Sequence, residues 1–291
     1  MSIFTGSGVA LCTPFTNEGI NEKTLRELIT FHLNNGSDAL VILGTTGEPS
    51  TMTEEEKLHV ITITVEMAKG KLPVIVGTGG NNTKKVVADS VRAEKMGADA
   101  LLVVTPYYNK ATPKGLYLHY KAISDAVNIP IIVYNVPSRT GLNVLPETLA
   151  KLATIENVKA VKEASGNISQ IAEVARLCPM LDIYSGNDDQ ITPILALGGI
   201  GVISTIANVV PKQVHDMVTM FLEGDIKGSS KMQIGLNPLV NVMFSEVNPI
   251  PAKTSLKLMN YDMGEIRLPL CEMEDSTKAK LTETLREYKL I

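Results

Sequence analysis

A lysine sits inside the apolar run Val158-Lys159-Ala160-Val161-Lys162-Glu163-Ala164-Ser165. Period-two alternation places Val158, Ala160 and Lys162 on one face of a strand and Lys159, Val161 and Glu163 on the other. An ammonium among small apolar neighbours is poorly solvated, which favours the neutral amine. A neutral amine attacks ketones and forms Schiff bases. The ordinary alternative is a strand-end lysine whose ammonium reaches solvent, so the reading depends on what accompanies Lys162.

Its companions follow other apolar runs. They are Gly44-Thr45-Thr46-Gly47-Glu48, Thr105-Pro106-Tyr107-Tyr108-Asn109, Tyr134-Asn135-Val136-Pro137-Ser138-Arg139-Thr140-Gly141 and Ser185-Gly186-Asn187. Singly, each has an ordinary explanation: hydroxyls in a tight turn, tyrosines at an interface, an arginine on a solvated loop. Together they supply a nucleophilic amine, a phenol that can move protons, donors for one carboxylate and a guanidinium for a second. Other chemistries lack their parts. His32, His59, His119 and His215 show no metal-ligand spacing, and no Gly-x-Ser-x-Gly elbow or Gly-x-x-x-x-Gly-Lys loop occurs. Gly77-Thr78-Gly79-Gly80 lacks the full dinucleotide fingerprint and reads as a turn.

The elements that must position these residues recur along the chain. Eight short runs have strand character: Gly8 to Cys12, Ala39 to Leu43, Val74 to Val76, Ala100 to Val104, Ile131 to Tyr134, Val158 to Lys162, Ile183 to Ser185 and Gly201 to Ser204. Between them lie amphipathic helical patterns such as Leu25, Leu28, Ile29 and Leu33. Alternating apolar strands and helices predict a parallel sheet covered by helices. The junction Gly36-Ser37-Asp38-Ala39-Leu40 returns as Gly97-Ala98-Asp99-Ala100-Leu101 and loosely as Gly199-Ile200-Gly201-Val202, each glycine expected to end a helix. Eight such units predict an α/β protein of the (β/α)8 TIM-barrel class over residues 1–224, with a C-terminal helical extension over 225–291. A doubly wound open sheet is the competitor, but its phosphate loop is missing at the first crossover. In a barrel, the residues just after each strand form the active site.

Composition narrows the partners. Hydrophobic residues are 44% and charged residues 20% of the 291, the balance of a globular domain. A formal charge of −4, with scattered lysines, offers no field for nucleic acid. No apolar run is long enough to cross a membrane, and Met1-Ser2-Ile3-Phe4-Thr5 does not resemble a signal peptide. Cys12, Cys178 and Cys271 are far apart and odd in number, which fits a reducing, cytoplasmic setting.

The Gly44–Glu48 and Tyr134–Gly141 segments, the Lys162-Glu163-Ala164 strand end and Asn248-Pro249-Ile250-Pro251 resemble the dihydrodipicolinate synthases, along essentially the whole chain. These belong with N-acetylneuraminate lyase among the pyruvate-dependent (β/α)8 lyases and aldolases. The resemblance implies condensation of pyruvate with L-aspartate 4-semialdehyde, leading to diaminopimelate and lysine, with no metal or organic cofactor. It implies that Lys162 forms the Schiff base and that Tyr134 moves protons. Thr45 would link Tyr134 to Tyr108, which reaches in from a neighbouring subunit of a homotetramer. Thr46, the backbone near Ile203 and Gly186 would accommodate pyruvate, and Arg139 would hold the semialdehyde carboxylate. Lysine-regulated members carry histidines and an acidic residue where Glu54, Lys57 and Lys85 stand here, which implies weak or absent feedback inhibition. The rival readings are a sugar-acid lyase with the same Lys162 chemistry, which leaves Arg139 without a carboxylate, and a non-catalytic keto-acid-binding barrel.

Overall fold

The computed structural model describes residues 2–291. Eight parallel strands close into a barrel: β1 Gly6–Ala10, β2 Ala39–Ile42, β3 Val74–Gly77, β4 Ala100–Val104, β5 Ile131–Asn135, β6 Val158–Glu163, β7 Asp182–Ser185 and β8 Gly201–Ser204. They run in chain order, and β1 pairs with both β2 and β8. The apolar runs therefore mark every barrel strand. The first is displaced: Cys12 lies beyond β1 because its N–H donates to the Asn208 side chain at 3.0 Å rather than to a neighbouring strand. A short hairpin, Phe15–Thr16 with Gly19–Ile20, follows and has no sequence signal strong enough to announce it.

Side chains alternate between two apolar layers. Ala39, Val41, Ile75, Ala100, Leu102, Ile132, Ala160, Tyr184 and Ile203 fill the barrel. Leu40, Ile42, Val74, Leu101, Val103, Val133 and Val161 face the surrounding helices. Phe4 stacks on Tyr184 with centroids 4.3 Å apart and accepts a 2.7 Å hydrogen bond from the Tyr184 hydroxyl at its carbonyl, so the N-terminal segment packs into the barrel interior.

The expected alternation in β6 holds only from Ala160 onward. Ile131 of β5 pairs with Val158, but Ile132 pairs with Ala160, so exposed Lys159 is an extra residue. Such a bulge changes the face of everything before it. Val158 consequently belongs to the outer layer and does not share a face with Lys162. The helix-ending glycines at 36 and 97 have φ of 82° and 97°. At the third junction the left-handed residue is Gly198, with φ 93°, not Gly199.

After the helix Pro211–Leu222, Asp225 caps the helix Ile226–Met243 by accepting from the Gly228 N–H. Helices Ile250–Leu258 and Asp275–Glu287 follow. Leu236, Leu239, Met243, Ala252, Leu256, Leu281 and Leu285 join the same apolar cluster as the barrel's outer layer. No helix among the described residues is long and apolar enough to cross a membrane.

One polar contact fixes this extension to the barrel rim. Lys253 Nζ donates to Glu48 Oε1 at 2.8 Å, and their side chains are 0% and 2% exposed. Glu48 adopts a left-handed conformation, φ 56°, at the end of the loop after β2. The Lys253 ammonium also lies 4.2 Å from the Phe15 ring centre, and the Arg267 guanidinium lies 3.9 Å from the same centre. Burial pushes the Lys253 ammonium below its ordinary range, opposed by Glu48.

Removing one member of a buried pair strands the other charge. We expect Lys253→Ala to lose about 3–5 kcal/mol of stability, and Glu48→Gln combined with Lys253→Met to recover more than half of that. Unfolding of Glu48→Gln, Lys253→Met and the double variant measures the coupling; additive losses would contradict this account.

Candidate active site

The segments after β2, β5, β6, β7 and β8 enclose a cavity of about 170 Å³ at the C-terminal ends of the strands. Lys162, Tyr134, Thr45, Thr46, Arg139, Gly186, Thr205 and Asn248 all line it. The β5–β6 register sets Tyr134 directly beside Lys162, and Lys162 Nζ lies 4.4 Å from the Tyr134 ring centre. Lys162 is 6% exposed. An amine in such a place touches a phenol ring and little water.

Local chemistry explains how each side chain arrives there. Thr45 and Thr46 belong to a single 3-10 turn, Thr45–Gly47, ended by left-handed Glu48. The turn is anchored by the Thr13 hydroxyl, which donates to the Gly47 carbonyl at 2.8 Å. Arg139 rides on a one-turn helix, Pro137–Thr140, whose first residue is proline and whose cap is Gly141 with φ 67°. Behind Tyr134 and Lys162, on the outward faces of the same strands, Asn135 Nδ2 donates to Glu163 Oε1 and Oε2 at 3.2 and 3.1 Å. The Ser165 N–H donates to Glu163 Oε1 at 2.7 Å, while burial pushes the Glu163 carboxyl up. This network ties the ends of β5 and β6 together.

On the other side of the cavity, buried Asp188 accepts from the N–H groups of Thr205 and Ile206 at 3.0 Å, linking the exits of β7 and β8. Burial raises its carboxyl, countered by hydrogen bonds and more weakly by Lys162. Gly186 lines the cavity, but its lack of a side chain answers a packing constraint. A Cβ there would lie 2.7 Å from the Ala164 Cβ and 3.0 Å from the Glu163 carbonyl.

Two expected residues lie outside this cavity wall. Ile203 is buried in the inner layer of the barrel. Tyr108 is 91% exposed, with φ 68°. Thr205 and Asn248 line the cavity without having been expected there. Asn248 donates from Nδ2 to Thr46 Oγ1 at 2.9 Å, and its carbonyl accepts from Arg139 Nη2 at 3.2 Å. In the sequence its segment, Asn248-Pro249-Ile250-Pro251, carries part of the family resemblance but gives no sign that the Asn248 side chain reaches this cavity.

A larger cavity of about 500 Å³ adjoins the first, with Thr45, Tyr134 and Arg139 forming part of both walls. It is lined by Tyr107 and a charged cluster in which Glu54 pairs with Lys57, Lys85 and Arg92 at 3.0, 2.9 and 3.2 Å. Lys85 also pairs with Asp89 at 3.0 Å.

The chain's residues 3–288 match the family model described as the dihydrodipicolinate synthetase family. The chain belongs to that family. It is 55% identical to a 4-hydroxy-tetrahydrodipicolinate synthase of Caldicellulosiruptor bescii, over 99% of this chain and 98% of the relative. A second 4-hydroxy-tetrahydrodipicolinate synthase, from Clostridium tetani, is 55% identical over 100% of both chains. Its fold is similar to the dihydrodipicolinate synthase structure from Thermotoga maritima, with a TM-score of 0.97, 43% identity and 100% coverage of both. The family match gives the barrel and the polar rim a common chemical setting.

The cations around Glu54, Lys85 foremost, lower its carboxyl from 4.5 to about 2. A depressed carboxyl stabilises the fold above its unfolded value, and that contribution is lost as pH falls from about 4.5 toward 2. Acid unfolding of Glu54→Gln should therefore show a shallower pH dependence in that window; an unchanged slope would refute the ion-pair assignment.

Proposed function

We propose that this protein is a lyase that condenses pyruvate with L-aspartate 4-semialdehyde to 4-hydroxy-tetrahydrodipicolinate, the entry to diaminopimelate and lysine synthesis. The observation that carries the reading is Lys162 buried in a small cavity against Tyr134, among two threonine hydroxyls and one guanidinium, in a chain of this family.

Lys162 Nζ attacks the pyruvate ketone carbon, and the carbinolamine loses water to form an iminium. The iminium withdraws electrons, so the methyl group gives up a proton and an enamine forms. Tyr134 is placed to carry these protons. The cavity excludes the bulk water that would reverse the Schiff base. Thr46 holds the pyruvate carboxylate, and the backbone that carries Ile203 and Thr205 supports the opposite side. Arg139 pairs with the semialdehyde carboxylate. The enamine carbon attacks the aldehyde, making the new carbon–carbon bond and a hydroxyl. The substrate's own amine then replaces Lys162 at the former ketone carbon and closes the ring. The reaction draws on the Lys162 amine and on no metal or organic cofactor.

Thr45 lies between the two cavities, where a hydroxyl can pass a proton from Tyr134 outward. Tyr108 is exposed and outside its own chain's cavity. We assign it to the site of a neighbouring subunit, where it would complete the relay; a dimer is then the smallest active unit, within a homotetramer. The three cysteines are unpaired, consistent with work in the cytoplasm.

Purified protein should consume pyruvate with L-aspartate 4-semialdehyde, and much less with N-acetylmannosamine or glyceraldehyde. Consumption only with a sugar aldehyde would make it a sugar-acid lyase. Borohydride should trap pyruvate covalently on the native enzyme but not on Lys162→Ala, whose turnover should fall at least about a thousandfold. Trapping or turnover that survives would reject Lys162 as nucleophile, and no trapping on the native enzyme would leave a keto-acid-binding barrel.

The Glu54 carboxylate in the larger cavity is already shared by Lys57, Lys85 and Arg92. A free lysine arriving there meets two lysine ammoniums and no unoccupied acidic partner on Glu54. Lysine at millimolar concentration should leave the rate nearly unchanged; strong inhibition below millimolar would contradict this.

A further inference from the structure

Among the described residues that line the smaller cavity, three are exposed: Ser138, Arg139 and Phe244. Lys162, Tyr134 and Thr46, at the reacting end, are all buried. The exposed three therefore form the mouth, past which a second substrate must travel to reach the enamine. Phe244 is the only apolar member, 44% exposed and yet part of the cavity wall.

The backbone that carries the ring is held on both sides. Phe244 ends the helix Ile226–Met243, and its N–H donates to the Val240 carbonyl at 3.1 Å. Next in the chain, the Ser245 hydroxyl donates to the Val242 carbonyl at 2.8 Å. Glu246 Oε1 accepts from the Glu274 N–H at 3.1 Å, which ties this turn to the start of the last helix. Arg139 joins the same segment through its 3.2 Å bond to the Asn248 carbonyl. An aldehyde acid with its carboxylate on Arg139 and its carbonyl carbon at the enamine is pinned at both ends. A longer chain between two fixed ends has to bow outward, and the wall it meets at the mouth is the Phe244 ring.

We infer that Phe244 is a specificity-determining residue that limits the second substrate to a short-chain aldehyde acid, an inference that rests on the condensation reading above. Arg139 selects the carboxylate, and Phe244 sets how many carbons separate it from the aldehyde. One methylene too many against a fixed apolar wall costs about 10–200-fold, so a single ring is enough to separate a four-carbon acid from longer ones.

The test uses 4-oxobutanoate, 5-oxopentanoate and 6-oxohexanoate, carboxylated aldehydes that differ only in their number of methylenes. Each is read as a competitor against L-aspartate 4-semialdehyde on pyruvate-loaded enzyme. On the unsubstituted protein the inhibition constant should rise about tenfold or more per added methylene. Phe244→Ala should cut the ratio between the six-carbon and four-carbon acids about tenfold or more, by binding the longer acid better. Phe244→Leu, a milder apolar change that covers the case in which alanine prevents folding, should cut the ratio in the same direction by less. Borohydride trapping of pyruvate on each variant reports whether the closed end is assembled. A ratio unchanged in Phe244→Leu, or all three acids weakened equally, would overturn the inference and leave Phe244 as packing at the helix end. So would the absence of any length preference on the unsubstituted protein, or a loss of trapping in Phe244→Leu, which would make the ring a support for Lys162. Failure of the condensation reading registers separately, as no pyruvate consumption by the unsubstituted enzyme with L-aspartate 4-semialdehyde.

Discussion

The buried pair between Glu48 and Lys253 is the constraint on which the rim of this barrel depends. Two charges removed from water cost several kcal/mol each unless they meet in good geometry. That cost forbids half-docked arrangements: the loop after β2 and the helix Ile250–Leu258 must engage together or both charges remain solvated. Engagement has chemical consequences a few residues away on each side. Glu48 closes the turn that carries Thr45 and Thr46, and Asn248 lies two residues before the helix Ile250–Leu258, which carries Lys253. The C-terminal extension is therefore part of the active-site wall as well as a cover for the barrel.

The rest of the rim is held by polar networks that lie behind the reacting groups. Lys162 and Tyr134 face inward from adjacent strands, and their sequence neighbours Glu163 and Asn135 face outward and bond to one another. A one-residue step along a strand changes the face. Each strand end thus presents a reactive group on one side and its anchor on the other. Asp188 does the corresponding work between β7 and β8 by binding the two backbone N–H groups that follow β8. Preorganisation of this kind suits the proposed Schiff-base chemistry, in which the amine would bond the ketone carbon and the phenol would serve the adjacent methyl group.

The two cavities share a wall but differ in character. The smaller one holds a single lysine among threonine and asparagine side chains, and the larger one is lined by cations already paired with Glu54 and Asp89. In the larger cavity Lys57, Lys85 and Arg92 are tied to Glu54 and Asp89, whereas Lys162 lines only the smaller and Arg139 stands on the wall between them. Local cations of this kind are what the proposed binding of two carboxylates requires in a chain of net charge −4.

By itself the sequence determined the eight strands, their alternation with helices and the positions where chemistry could sit. These are local signals: apolar runs, capping glycines and polar residues placed directly after a strand. It also singled out Lys162, since a lysine in an apolar run is anomalous without any knowledge of its neighbours. What tertiary structure decided is non-local. The bulge at Lys159 depends on how β5 pairs with β6, so simple alternation put Val158 on the wrong face. The need for glycine at 186 comes from Ala164 on the adjacent strand end, and the exposure of Tyr108 from the course of its loop. Asn248 meets Thr46 across 202 residues of chain, a distance over which no periodicity or motif carries information. Hydrophobic pattern fixes which face of an element is buried, but the partner of a buried polar group is chosen only when separate elements have packed.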